Sequence, residues 1–183
     1  MTAPRAAFRH NLKRDDDWET PPESFVFLAK CLRRDHPEFR PCRIYDPFYC
    51  EGRAAAWIAN AFPEAEEVIH EDKDFWTEGR DPDDYDLLVT NPPFSAMRYV
   101  MPMLVKTGKP FAVLCPGESV WTQYTMRSVG SQLNRFKVYA PWKRPRFYKD
   151  GKQWTSSSQT HVWCVYGLEA RSGNIYYEPK PSA

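Results

Sequence analysis

The stretch Tyr85-Asp86-Leu87-Leu88-Val89-Thr90 runs directly into Asn91-Pro92-Pro93-Phe94, and this junction constrains the fold of the 183-residue chain more than any other feature. A short apolar run of this kind reads as a strand. Two prolines in succession cannot donate backbone hydrogen bonds, so the strand ends there. At its C-terminal tip Asn91 offers a side-chain carbonyl, the carbonyls of the proline pair stay free to accept, and Phe94 supplies a face for stacking. Acceptors beside an aromatic plate suit a planar exocyclic amine such as N6 of adenine. Without context, the same four residues make a rigid turn.

Context lies upstream. Arg43-Ile44-Tyr45-Asp46-Pro47-Phe48-Tyr49-Cys50-Glu51-Gly52 reads as a short strand and a tight turn, followed by a helix from Arg53 to Ala61. Glycine in such a turn lets a ligand approach the backbone closely. Here the chain resembles the amino-methyltransferases that use S-adenosylmethionine. In that family an Asp-Pro-Phe-x-Gly-x-Gly turn cups the methionine part of the cofactor, and an Asn/Asp-Pro-Pro-Phe/Tyr tip binds the target amine. The resemblance implies methyl transfer, with S-adenosyl-L-methionine held by Asp46, Pro47, Phe48, Cys50 and Gly52, and Asn91, Pro92, Pro93 and Phe94 as the catalytic tip. Cys50 stands where the first glycine is usual, and its β-carbon narrows the turn or changes its dihedrals.

A third motif, Trp18-Glu19-Thr20-Pro21-Pro22-Glu23, has the form of a capping box between Thr20 and Glu23, with proline at the first helical position. Phe25, Leu28 and Leu32 follow at helical spacing, and the helix is expected to end near Asp35-His36-Pro37. A Trp-x-Thr-Pro segment ahead of the cofactor strand is similar to that of short phage-type DNA N6-adenine methyltransferases, where it closes over the cofactor. This adds Trp18, Thr20 and Pro21 to the implied cofactor contacts. The resemblance spans roughly residues 15 to 167.

Val68-Ile69-His70-Glu71-Asp72-Lys73-Asp74-Phe75-Trp76 reads as a strand followed by acids and aromatics. Acids at the C-terminal end of such a strand commonly hold ribose hydroxyls, so Glu71 or Asp72 is the expected ribose ligand. Asp74-Phe75-Trp76 is similar to an Asp-Trp element of the phage-type enzymes, and Asp74 with Phe75 is the expected contact to the cofactor's adenine. Residues 64 to 86 carry eleven acids against Lys73 and Arg80, so most of these acids face solvent. The interval from Asp74 to Asn91 leaves little room for helix, strand and helix, which implies a trimmed sheet.

The net charge of +1 conceals an opposite balance further on: residues 121 to 160 hold eight bases against one acid, interleaved with aromatics. Bases neutralise phosphates while aromatic faces stack on bases, the combination expected of a nucleic-acid surface. Arg127, Lys143, Arg144, Arg146, Lys149 and Lys152, with Trp142 and Trp154, are the expected contacts to DNA or RNA, and residues 118–160 the nucleic-acid segment. Trp154 to Thr160 reads as a flexible polar loop.

Five scattered cysteines, at 31, 42, 50, 115 and 164, form no C-x-x-C pair, which fits free thiols and no metal site. His70 and His161 read as packed or solvent-facing. No apolar run approaches 18 residues and no signal peptide opens the chain, so a soluble intracellular protein, cytoplasmic or nuclear, with no membrane partner is expected.

The remaining segments complete an α/β pattern. Ser95 is placed to cap a helix that kinks at Pro102 and ends at Gly108, and Phe111 to Cys115 is a buried strand. Phe136 to Ala140 and His161 to Gly167 pair antiparallel at one edge. The expected architecture is a Rossmann-like class I methyltransferase fold, mostly parallel with a C-terminal antiparallel hairpin. It forms one domain over residues 18–170, between a flexible N-terminus (1–17) and a tail (171–183). The function the resemblance implies is methyl transfer to N6 of adenine in nucleic acid, DNA first. The small recognition segment keeps RNA as runner-up. Protein glutamine N-methylation and an inactive binding or partner subunit are further alternatives, and a protein partner or a homodimer stays open.

Overall fold

The computed structural model describes residues 18–154, 159–169 and 173–180. The expected N-terminal arm, most of the Trp154 to Thr160 loop and the end of the tail lie outside the described residues.

Strands β1 (Arg43–Tyr45), β2 (Glu67–Ile69), β3 (Leu87–Thr90) and β4 (Phe111–Pro116) pair in parallel in the spatial order β2-β1-β3-β4. A small hairpin, β6 (Tyr148–Lys149) and β7 (Lys152–Gln153), separates β5 (Phe136–Ala140) from β8 (His161–Tyr166). Its turn residues Asp150 and Gly151 both have positive φ, as a two-residue hairpin requires. β8 inserts antiparallel between β4 and β5, and β9 (Ile175–Tyr177), in the stretch read from sequence as a tail, adds in parallel to the outer side of β5. The result is a seven-stranded sheet in which β8 alone runs against the others.

Strand alternation sends Leu87 and Val89 to one face and Leu88 to the other. On the first face α1 (Pro22–Asp35) and α2 (Ala54–Ala61) bury Phe25, Leu28 and Ile58 against Leu87, Val89 and Trp163. On the second, α4 (Met97–Thr107) buries Met97, Val100, Met101 and Leu104 against Leu88, Phe111 and Val113, with α5 (Gln123–Val129) packed on α4. Between β2 and β3 lie only the one-turn α3 (Phe75–Glu78) and a 3₁₀ turn, so β2 is the edge of a trimmed sheet.

Two caps differ from expectation. Pro21, not Thr20, is the N-cap of α1, and no side chain caps it; Pro22 does occupy the first turn. Thr20 is buried at the end of an extended segment, and its hydroxyl has no hydrogen-bond partner among the described residues. Ser95 does not cap α4 either, because Phe94–Ala96 form a 3₁₀ turn closed by Ala96 N–H on the Pro93 carbonyl, which moves the N-cap to Ala96. Gly108, at φ 72°, ends α4 as its freedom at positive φ predicts. No described helix is long and apolar enough to cross a membrane.

After β1 the chain moves outward to β2 and returns on the other side of β1 as β3. This reversal is a switch point, and in open α/β sheets ligands bind at the carboxyl ends of the strands flanking it. Asp46 follows β1 and Asn91 follows β3, so both motifs stand at that crevice.

Candidate active site

Asp46 is buried, with Oδ1 accepting from Thr90 Oγ1 at 2.6 Å and from the Phe48 N–H at 3.3 Å. His70 Nδ1 lies 3.1 Å from the Asp46 carbonyl and 3.5 Å from Oδ2. Burial pushes the Asp46 carboxyl up to about 6, with His70, Thr90 and the Phe48 N–H pulling the other way. Beyond it the turn carries two positive φ values, 49° at Cys50 and 81° at Gly52. Gly52 is doubly required, since a β-carbon there would lie 2.6 Å from the Tyr49 hydroxyl. Tyr49 in turn stacks on His70 at 4.9 Å. Cys50 keeps the left-handed conformation that glycine would adopt freely, at a cost of about 1 kcal/mol.

The segment Trp18–Thr20 lies across this turn as a strap. Glu19 pairs with Tyr148 of β6 through two backbone hydrogen bonds, of 2.9 and 3.0 Å. The buried Glu19 carboxylate forms an ion pair with Arg53, whose guanidinium sits 5.5 Å from the Trp57 ring and 5.4 Å from the Tyr148 ring. Asn91 Nδ2 donates to the Trp18 carbonyl at 2.9 Å. Trp18, Thr20, Asp46, Phe48, Cys50 and Asn91, three motifs distant in sequence, line one cavity together with Phe25 and Tyr49. It is narrow, about 10 Å³, far below the roughly 300–1,000 Å³ of ordinary small-molecule sites.

Two polar atoms at this cavity, Asn91 Oδ1 and Thr20 Oγ1, are buried with no hydrogen-bond partner among the described residues. Leaving such a group unsatisfied costs about 1–3 kcal/mol, so each is suited to a partner that arrives with a ligand. Pro92 is buried beneath the tip, and Phe94 is half-buried at the start of its 3₁₀ turn.

The acids expected at the ribose are placed differently from one another. Glu71 accepts from Arg80 at 2.7 and 2.6 Å and from Lys73 at 2.8 Å, so both its oxygens are engaged, and Asp72 is exposed. Asp74 accepts from the Trp76 N–H at 2.8 Å and thereby caps α3. Phe75 packs on Phe48 at 5.0 Å and extends the aromatic wall beyond the cavity.

The basic and aromatic segment is split rather than gathered. Trp142, Lys143, Arg144 and Arg146 line a groove against Val26 and Lys30 of α1. Lys149 lies 5.1 Å from the Trp18 ring and Trp154 meets it edge-on at 5.6 Å, so these two belong to the strap. Lys152 is exposed on β7, and Arg127 is exposed on α5, across the sheet from α1. Lys137 is buried in an ion pair with Asp35, and Phe136, Tyr139 and Phe147 are core residues. Sequence reading missed Glu19, Tyr49 and Arg53. The only signal for them was adjacency: each lies within one residue of a motif position.

The strand order, with its single antiparallel strand, is the Rossmann-like fold of class I methyltransferases. No protein-family model and no curated protein matches the sequence. Among solved structures the chain is similar to the methyltransferase subunit of a type I restriction-modification system from Streptococcus thermophilus, with TM-score 0.48 and 9% identity over 94% of this chain and 49% of that one. A class I S-adenosylmethionine-dependent methyltransferase described as putative, from Listeria monocytogenes, gives TM-score 0.46 and 9% identity over 92% of this chain and 68% of that one. A release factor-specific protein-(glutamine-N5) methyltransferase from Alicyclobacillus acidocaldarius gives TM-score 0.42 and 15% identity over 92% and 99%. The chain thus spans about half the length of the Streptococcus subunit.

Proposed function

We propose that this chain transfers a methyl group from S-adenosyl-L-methionine to the N6 amino group of adenine in nucleic acid, with DNA the first acceptor. The observation that carries the reading is the buried, unpartnered Oδ1 of Asn91, at the strand tip and in the same cavity as the Asp46 turn.

The residues present fit the cofactor. A buried carboxylate at Asp46 suits its ammonium group, the positive-φ turn at Cys50 and Gly52 brings backbone close to the methionine part, and Thr20 Oγ1 awaits a polar partner. Phe48 and Phe75 offer an aromatic wall for its adenine. Bound there, S-adenosyl-L-methionine supplies a methyl group on a sulfonium centre, whose leaving group is a neutral thioether.

The chain's own part is to prepare the amine. The exocyclic nitrogen of adenine is conjugated with its ring and poorly nucleophilic. Asn91 Oδ1 and the Pro92 carbonyl accept its two N–H hydrogens, which favours a lone pair localised on nitrogen. Phe94 holds the ring plane, alignment with the methyl group supplies much of the rate, and the proton lost by the methylated nitrogen leaves to water. Asn91 Nδ2, by donating to the Trp18 carbonyl, ties the amine-holding residue to the strap over the cofactor. A base inside a duplex must first be flipped out, at a cost of a few kcal/mol that a single strand avoids.

The test is incubation with methyl-labelled cofactor and a panel of single-stranded DNA, duplex DNA, RNA and bulk protein, followed by nucleoside and amino-acid analysis. Label in N6-methyldeoxyadenosine is the expected result. Label in N6-methyladenosine of RNA alone would move the acceptor to RNA, and label confined to glutamine would overturn the adenine reading.

A further inference from the structure

His161 is the first residue of β8 and lies opposite Pro116, the last of β4. Because β8 is antiparallel, its beginning stands at the sheet end where β1, β3 and β4 finish, so a residue over 60 positions beyond the tip arrives beside it. The His161 side chain is buried at 1% exposure. Its ring is 5.2 Å from that of Phe94, tilted by 34°, and 4.8 Å from that of Phe147, which meets it edge-on.

Neither imidazole nitrogen has a hydrogen-bond partner among the described residues. Burial pushes the ring down to about 4; the Gln159 backbone opposes this without reaching hydrogen-bond geometry, and the Arg144 charge adds to it. Near neutral pH the imidazole therefore carries one N–H donor and one acceptor. Each costs about 1–3 kcal/mol while unsatisfied in the interior. A phenylalanine would fill the same aromatic slot between Phe94 and Phe147 at no such cost. The unpartnered nitrogens thus mark a polar contact supplied from beyond the described residues, next to the plate assigned to the acceptor. The cofactor cavity does not use this residue, since His161 is not among its walls.

We infer that His161 is a further acceptor-binding residue, whose imidazole N–H donates to a ring nitrogen flanking the exocyclic amine of the base held at Asn91 and Phe94. This rests on the reading of the tip as an adenine holder and adds to it a contact to the ring itself. In adenine the amine is flanked by N1 on one side and, across the ring fusion, by N7, both acceptors. The 2-amino group of guanine lies instead between N1–H and the acceptor N3, and a glutamine amide has no ring nitrogen, so the contact favours a nucleobase amine over a glutamine amide.

The experiment compares the wild type with His161→Phe and His161→Gln on single-stranded DNA oligonucleotides containing one adenine, one 1-deazaadenine or one 7-deazaadenine. The deaza bases keep the amine and replace one ring nitrogen by C–H. The wild type should methylate adenine, with KM raised about tenfold for one of the two deaza oligonucleotides. His161→Phe should keep its melting temperature, raise KM for adenine to the level of that deaza substrate and no longer distinguish the two. His161→Gln, which retains an N–H donor, should recover part of the discrimination. If His161→Phe methylates adenine with wild-type KM and wild-type discrimination, the imidazole is packing only and the inference fails while the adenine reading stands. If the wild type methylates none of the adenine oligonucleotides, in DNA or as RNA counterparts, the adenine reading fails and takes the inference with it.

Discussion

Asn91 divides its amide in two, Nδ2 holding the strap at Trp18 and Oδ1 buried without a partner among the described residues, where the proposal puts the amine. Asp46 shows the same economy: Oδ1 is fixed by Thr90 and Phe48, while the carboxyl as a whole is kept near its ionisation point by burial. Its folded value, about 6, lies above the ordinary 3.8. Its contribution to folding is therefore fully present below the unfolded value and is lost as pH rises through about 6. With Asp46 facing the cofactor's ammonium group as proposed, binding has the opposite sign, because the ammonium needs the carboxylate. Calorimetry from pH 5 to 7.5 should show affinity for S-adenosyl-L-methionine rising several-fold, with the rise centred near 6, and Asp46→Asn should be weak and flat across the range. A wild-type affinity independent of pH would show that this carboxylate does not meet the cofactor.

At the scale of elements, α1 is clamped to β5 by a buried charge cluster at its C-terminal end. Asp35 accepts from Arg34 at 2.6 Å, from Tyr139 at 2.9 Å and from the buried Lys137. Burial alone would raise the Asp35 carboxyl; the hydrogen bonds from Arg34, Lys137 and Tyr139 outweigh it and hold the group well below the usual carboxylate range. Lys137→Ala leaves that carboxylate under-compensated and should cost about 3–5 kcal/mol in urea unfolding, with little change in cofactor affinity at low temperature. A loss below about 1 kcal/mol would mean that water or Arg34 alone suffices. What the sequence disclosed about elements was local. The span of α1, the end of α4 at Gly108, and β3 stopped by Pro92 and Pro93 each rest on neighbours a few residues apart. What it concealed was non-local: Lys137 counts as a surface base until β5 is seen to lie under α1, and β9 gains its meaning only from β5. Thr20 and Ser95 had capping chemistry but lost it to an extended strap and a 3₁₀ turn. For the site, the positions of Asp46 and Asn91 followed from strand ends. The engagement of Glu71 by Arg80 and the arrival of Glu19 and His161 depended on contacts that spacing does not encode.

Across the whole molecule, the strap and the β6–β7 hairpin join the cavity beside Asp46 and Asn91 to the basic groove. Glu19 pairs with Tyr148, and Arg146, only two residues before Tyr148, lines the groove against α1. Replacing Lys143, Arg144 and Arg146 together by alanine should weaken single-stranded DNA binding at least tenfold and flatten its salt dependence by about two log units per log unit of salt, at roughly 0.7 per phosphate contact. An unchanged slope would place the polymer on the opposite face, with Arg127. On the proposed reading one crevice, at the ends of β1 and β3, holds methyl donor and amine together. A bisubstrate analogue, with adenine N6 tethered where the cofactor carries its methyl group, tests this most directly. Wild-type protein should bind it about 100-fold more tightly than S-adenosyl-L-methionine, because the second contact becomes intramolecular, and Asn91→Ala should lose most of that gain while keeping cofactor affinity within about tenfold, the scale of one lost hydrogen bond. Binding of the analogue no tighter than the cofactor alone, or a gain untouched by Asn91→Ala, would place donor and amine in separate sites.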